Sequence, residues 1–205
     1  KISEVHLVDN HPVKVSASVG VVLYPKDGQT ITALMKNADI AMYEAKNAGK
    51  NQFKFFTESL HQRLVHEIEL ENNMQRALNN GEFELYYQPK IAVQTGKVIG
   101  AEALIRWNDP QKGLVPPDQF IPAAEKSELM VPLGDWVLET AIQQQIDWKK
   151  RGLGDFQVSV NLSPVQLINN HFGDKLNRLI QESGITPSKL DVEMTESQFM
   201  ENSEQ

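Results

Sequence analysis

From Glu82 onward, short apolar segments alternate along the sequence with longer segments of helical periodicity. The helical segments carry apolar residues three or four positions apart, which is the spacing of one helix face. Strands that alternate with helices usually pair in parallel, so this pattern predicts an α/β fold with a parallel sheet, either doubly wound or closed into a barrel. The predicted strands cover residues 83–88, 98–105, 156–162 and 190–194.

Helices are predicted near residues 118–126, 130–150 and 174–183, with Gly184 suited to end the last one. Residues 94–96 separate the first two strands and read Gln-Thr-Gly. Such a segment fits a hairpin, but it also fits the start of a longer connection. The relative direction of the first two strands therefore stays open at this point.

The residues before Glu82 predict a different arrangement. Residues 13–24 are rich in β-branched side chains and predict a strand, and residues 53–56 predict a second, short one. Between them lies a helical pattern that Thr30 can cap and Gly49 can end.

A long charged helix is predicted over residues 57–80, with Gly81 as its stop. It is either a rigid spacer or the first helix of a second domain. The sequence thus divides into residues 1–56, a connecting helix over 57–80, and residues 81–205.

Composition excludes several function classes. The 205 residues include no cysteine, so neither a disulfide framework nor a thiolate metal site is possible. The formal net charge is −7 and no run of lysine or arginine occurs, which argues against a nucleic-acid binder. No apolar stretch of about 18 residues is present, so we expect no membrane contact from this segment.

Three polar residues stand where predicted strands run out: Glu102, Asn161 and Glu193. In a β/α barrel, side chains near the carboxyl ends of successive strands converge on one mouth. Two carboxylates and an amide oxygen form a hard ligand set that suits Mg²⁺ or Mn²⁺. Each residue alone is weak support, because a single strand glutamate is more often a salt-bridge partner.

Five segments in order resemble the first half of an EAL domain, the cyclic-di-GMP phosphodiesterase family. They are YYQPK (86–90), EALIRW (102–107), FIPAAE (120–125), VNLS (160–163) and EMTES (193–197). The resemblance implies a TIM-like β/α barrel that hydrolyses cyclic-di-GMP to linear pGpG with two Mg²⁺ or Mn²⁺ ions.

The resemblance implies that Glu102, Asn161 and Glu193, which occupy the matching motif positions, are metal ligands. Gln88 and Arg106 match residues that contact the substrate, and a guanidinium can bind a phosphate through two hydrogen bonds. The catalytic residues that the resemblance implies are Glu102, Glu193 and Glu196, and the family uses the residue at the position of Glu196 to hold a regulatory loop.

The N-terminal part resembles the end of a GGDEF, or diguanylate cyclase, domain, which has a nucleotidyl-cyclase-like α+β fold. The matching segments are SASVGV (16–21), ADIAMYEAK (38–46) and GKN (49–51). By resemblance, Lys46 and Lys50 would contact the phosphates of GTP. The alternative interpretation is that both are solvated lysines near a helix C-terminus, where the helix dipole favours cations.

Both resemblances are incomplete, since the GGDEF hairpin and the later EAL motifs do not occur in the sequence. We therefore expect a fragment that is inactive alone, within a parent phosphodiesterase whose cyclase activity is uncertain. One alternative is a degenerate EAL module that binds cyclic-di-GMP without cutting it. Another is a partner-binding protein that acts through the long helix.

The resemblance also implies partners and a location. The expected partners are cyclic-di-GMP, GTP at the GGDEF part, and a second copy in a homodimer. We expect a cytoplasmic location, with any membrane anchor upstream of this segment.

Overall fold

The computed structural model describes residues 5–8, 11–168 and 171–194. The chain divides between residues 69 and 70 into two compact units. Within the described ranges, no helix combines the length and the apolar character needed to cross a membrane.

The described part of the first unit contains two small strand pairs, one complete helix and the first half of a longer helix. Strand β1 (Val5–Val8) pairs with β2 (His11–Lys14) in antiparallel fashion, and β3 (Val19–Val21) pairs with β4 (Phe53–Phe55) in parallel. The connection from β3 to β4 contains helix α1 (Ile31–Asn47).

The single strand predicted over residues 13–24 is wrong, because its two halves pair with different partners. β2 pairs with its neighbour in sequence, whereas β3 pairs with a strand that lies beyond a helix. The capping prediction is confirmed, since Thr30 Oγ1 accepts from Ala33 N at 3.2 Å. Gly20 lets α1 approach β3 closely: a Cβ there would lie 1.9 Å from the Ala38 carbonyl oxygen.

Helix α2 (Glu58–Asn80) matches the predicted long helix and ends where Gly81 adopts a φ of +69°. Its first half places Leu60 in the core of the first unit, beside Ile40 and Phe56. Its second half belongs to the second unit, where Met74 is almost fully buried.

The second unit is built on a mixed five-stranded sheet with the order β5-β6-β8-β9, and β7 pairs with β6. The strands are β5 (Phe83–Ile91), β6 (Val98–Asp109), β7 (Gly113–Val115), β8 (Gln157–Asn161) and β9 (Leu190–Glu193). β6, β8 and β9 run parallel, as predicted. β5 and β7 run antiparallel to β6, because only short turns connect them to it.

Four helices accompany this sheet: α3 (Ile121–Glu125), α4 (Met130–Lys150), α5 (Pro164–Ile168) and α6 (Phe172–Ser183). Short 3₁₀ turns at Pro117–Gln119 and Pro187–Lys189 precede α3 and β9. Gly184 ends α6 in the left-handed conformation, as predicted. The sequence patterns did not predict β7 and α5, which are three and five residues long. Segments that short carry too few residues to show a period.

One face of the sheet packs against helix α4. Ala103, Val158 and Val160 are buried there and share a cluster with Leu138 and Ala141 of α4. Side chains alternate between the two faces of a strand, so the residues between these apolar positions point to the opposite face. That opposite face carries the polar residues described in the next section.

Helix α4 packs closely against α5 at Gly134. A Cβ built on Gly134 would lie 1.9 Å from Nε2 of Gln166, a side chain that is only 2% exposed. The absence of a side chain at Gly134 therefore creates the space that the Gln166 amide occupies.

We expect Gly134→Ala to destabilise the second unit by about 1–3 kcal/mol, because buried Gln166 has little room to move. Gly173→Ala is the matched control: Gly173 also lies in a helix, but a Cβ there meets nothing within 4 Å. We expect the control to be neutral or slightly stabilising. Urea denaturation of the full-length gene product measures both, and equal midpoints for the two variants would contradict the packing argument.

Candidate active site

The strand register brings the predicted site residues onto one face of the sheet. Glu102 on β6 is paired with Gln88 on β5 and with Ser159 on β8. Asn161 on β8 is paired with Glu193 on β9. Paired residues point to the same side of a sheet, as do residues two apart on one strand. All five side chains therefore share the face opposite α4, which we call the site face.

Glu102 and Asn161 are in direct contact on the site face. The Asn161 Nδ2 group donates a hydrogen bond of 2.8 Å to Glu102 Oε1. Because the amide nitrogen is used in this contact, the amide oxygen is the atom of Asn161 that suits a cation. The contact spans 59 residues of sequence and depends on the parallel pairing of β6 and β8.

Glu193 is held by Lys90, for which the sequence motifs predicted no role. Lys90 Nζ donates 2.6 Å hydrogen bonds to Glu193 Oε1 and to Ser159 Oγ. The hydrogen bond from Lys90 is the main cause that holds the pKa of Glu193 below its ordinary value, and Ser159 adds to it. The same bond raises the pKa of Lys90. Both groups are therefore charged near neutral pH.

A further carboxylate, that of Asp191, lies next to Ser159. Asp191 Oδ2 accepts a 2.7 Å hydrogen bond from Gln157 Nε2 and lies 3.5 Å from Ser159 Oγ. Asp191 is paired with Ser159 in the β8–β9 register, so it shares the site face. Asp191 thus joins Glu102 and Glu193 as carboxylates of the site face that interact with Lys90.

Arg106 lies farther along β6, on the same face as Glu102. Its guanidinium carbon is 5.5 Å from the centre of the Tyr86 ring, and Nη1 donates to the Ile105 carbonyl oxygen at 2.8 Å. Stacking on the ring orients the planar group and leaves its other N–H donors for an anion. Gln88, on β5 between Tyr86 and Lys90, is exposed on this face.

The turn after Asn161 is braced by buried polar groups. Ser163 is 4% exposed, and its Oγ donates to Glu125 Oε1 at 2.7 Å. Its backbone N–H donates to Gln166 Oε1 at 3.2 Å. These bonds connect α3 and α5 to the residues that directly follow Asn161, so they restrict the position of that side chain.

An apolar cavity of about 360 Å³ adjoins this turn. Its lining includes Ile105, Ile121 and Val137, and its polar lining residues are Asp118, Glu125, Asn161 and Ser163. Because Val137 belongs to α4, the cavity lies on the helix-packing side of the sheet. Of the predicted site residues, Asn161 lines it.

The donor set fits a hard divalent cation. Within the described ranges, no three histidine, cysteine, aspartate or glutamate side chains form a cluster that could hold a metal. The candidate set instead joins two carboxylates, Glu102 and Glu193, to the amide oxygen of Asn161. Oxygen ligands of this kind suit Mg²⁺ or Mn²⁺.

The remaining predicted residues lie elsewhere. Lys46 is in the last turn of α1, and Lys50 follows in the left-handed region with a φ of 59°. Both belong to the first unit, where the Lys50 backbone N–H donates to the Ala45 and Lys46 carbonyl oxygens and closes the helix end. Glu196 lies outside the described residues.

Sequence reasoning missed roles for Lys90, Ser159, Asp191 and Ser163. All but Asp191 fall inside or beside quoted motifs, but a lysine or serine in a strand has no distinctive spacing. For the strand residues Lys90, Ser159 and Asp191, the one available signal was the period-two pattern, which places them on the same face as Glu102 or Glu193 once the register is known.

Comparison with known families matches both parts of the chain. Residues 71–205 match the EAL domain family, and residues 1–52 match the family described as diguanylate cyclase, GGDEF domain. The TIM-like barrel class expected for the second part is confirmed by its structural relatives.

Two curated relatives illustrate the similarity. The bifunctional diguanylate cyclase/cyclic di-GMP phosphodiesterase MucR of Pseudomonas aeruginosa is 40% identical over 204 residues, which are 100% of this chain and 30% of MucR. The cyclic di-GMP phosphodiesterase PdeR of Escherichia coli is 41% identical over 192 residues, 94% of this chain and 29% of PdeR. The chain thus spans about 30% of the length of these relatives.

Solved structures of EAL proteins show the same similarity. The MucR phosphodiesterase in complex with c-di-GMP aligns with a TM-score of 0.62 at 38% identity, over 66% of this chain and 55% of that one. The EAL enzyme Bd1971, bound to cAMP and cyclic-di-GMP, aligns with a TM-score of 0.63 at 31% identity, over 87% and 47%. This chain belongs to the EAL domain family, and its EAL residues follow the end of a GGDEF domain.

Proposed function

We propose that the full-length gene product hydrolyses cyclic-di-GMP to linear pGpG at the site face. The observation that carries this proposal is the convergence of Glu102, Asn161 and Glu193 on one sheet face, with Arg106 beside them. Relatives with about 40% identity carry the name of this activity. EAL phosphodiesterases depend on divalent metals, which agrees with the oxygen donor set.

Glu102, Asn161 and Glu193 would hold Mg²⁺ or Mn²⁺, with two ions in the complete site. When bound, the metal supplies Lewis acidity toward the phosphate and lowers the pKa of water. The Asn161–Glu102 hydrogen bond fixes both side chains before any cation arrives, which reduces the entropy lost on binding.

Arg106 and Gln88 would bind the substrate. The Arg106 guanidinium, stacked on Tyr86, offers N–H donors to a phosphate oxygen. Gln88 can donate or accept from its exposed position on β5.

Other parts of the proposal concern the rest of the protein. We assign residues 1–56 to the GGDEF part, 57–80 to the connecting helix and 81–205 to the EAL part. GTP would bind the GGDEF part, with Lys46 and Lys50 near its phosphates. Glu196 would complete the catalytic set, and the protein would act as a cytoplasmic homodimer.

We expect Glu102→Gln to reduce pGpG formation at least about 100-fold, because it removes the charge of a cation ligand but keeps the side-chain shape. The matched control is Glu128→Gln, at an exposed glutamate outside the site face. Chromatography of cyclic-di-GMP incubated with the full-length gene product and Mg²⁺ or Mn²⁺ measures both. Wild-type protein that is folded and binds cyclic-di-GMP without forming pGpG would be a receptor, and the enzyme proposal would be wrong.

Arg106→Ala should raise the KM for cyclic-di-GMP by about 10- to 100-fold, because a charge-assisted hydrogen bond to the substrate is lost. Arg106→Lys should recover only part of the affinity, since an ammonium group lacks the fork geometry. Arg178→Ala, on the exposed side of α6, is the control. Steady-state kinetics test this, and an unchanged KM for Arg106→Ala would exclude the substrate contact.

A further inference from the structure

Lys90 lies among the carboxylates of the site face. Its Nζ is 2.6 Å from Glu193 Oε1 and 2.6 Å from Ser159 Oγ, and it is the nearest cation to Glu193 among the contacts described. Glu102 and Asp191 add favourable electrostatic interactions with the ammonium group. One side chain on β5 therefore balances three carboxylates from two strands, β6 and β9.

The position of Lys90 would affect the binding of a cation by Glu193. A divalent cation bound by Glu193 would share that carboxylate with Lys90. A metal ion and an ammonium group that share one carboxylate repel each other at short range. Only about 39% of the Lys90 side chain is exposed, so water screens this repulsion incompletely.

A second set of acceptors lies next to Lys90. Ser159 Oγ already accepts from Nζ, and Asp191 Oδ2 lies 3.5 Å from that same hydroxyl oxygen. The ammonium group can therefore leave Glu193 and still keep a hydroxyl and a carboxylate as partners. The side chain has four methylene groups and rotates easily, so this shift needs no backbone movement.

We propose that Lys90 is an internal counter-ion that positions Glu193 in the metal-free site and competes with the divalent cation for that carboxylate. The inference rests on the proposed role of Glu193 as a metal ligand. Lys90 is a positioning residue in this scheme: it orders Glu193 and lowers the affinity of that carboxylate for the metal.

The test measures Mn²⁺ binding to the full-length gene product by electron paramagnetic resonance, without cyclic-di-GMP. We expect Lys90→Gln to bind Mn²⁺ about tenfold more tightly than wild type, because the competing charge is gone. Lys90→Arg keeps the charge and should stay within about threefold of wild type. Lys97→Gln, at an exposed lysine in the β5–β6 turn, is the control and should not change the affinity.

Thermal unfolding gives an independent readout. Without metal, Lys90→Gln should have a lower Tm than wild type, because Glu102, Asp191 and Glu193 then repel one another without a counter-ion. Saturating Mn²⁺ should close most of this difference, since the metal replaces the missing charge. Lys97→Gln should match wild type in both conditions.

Unchanged or weaker Mn²⁺ binding by folded Lys90→Gln would overturn the counter-ion role. Lys90→Met, which keeps the apolar stem, gives a second neutral variant if the glutamine variant does not fold. Glu193→Gln in otherwise wild-type protein tests the metal-ligand role of Glu193 separately from the counter-ion role of Lys90. If Glu193→Gln leaves Mn²⁺ affinity unchanged, the ligand role of Glu193 in the proposed function is wrong, whatever Lys90 does.

Discussion

The parallel pairing of β6, β8 and β9 is the constraint on which the rest of the second unit depends. It aligns Glu102 with Ser159 and Asn161 with Glu193, so that polar side chains from distant parts of the sequence share one face. A slip of one residue in either pairing would turn those side chains toward the helices. Burial of Val158 and Val160 against α4 opposes such a slip, because it would expose them and bury charge.

Packing and chemistry are therefore coupled through the same strands. The apolar positions fix the register, and the register fixes the distance between the polar positions. Close packing at Gly134 and the bonds of Ser163 extend this control to the turn after Asn161. The site is consequently held by the rigid elements of the sheet, which suits the positioning of a cation.

Electrostatic balance is a second requirement of the site face. Glu102, Asp191 and Glu193 all interact electrostatically with Lys90, and carboxylates that share one region of a sheet face are costly without a cation. In the structure Lys90 supplies that charge. In the proposed function, bound metal ions would supply part of this positive charge and would compete with Lys90 for Glu193.

The sequence by itself determined the family, the long helix and the parallel core strands, and it predicted Glu102, Asn161 and Glu193 as site residues, because these inferences depend on local periodicity and on motifs in fixed order. It did not determine the antiparallel β5, the division of residues 13–24 between two strand pairs, or the contacts of Lys90. Those features depend on which strands pair and in which register. Lys90 and Glu193 are 103 residues apart in sequence, and only the tertiary structure brings their charges together.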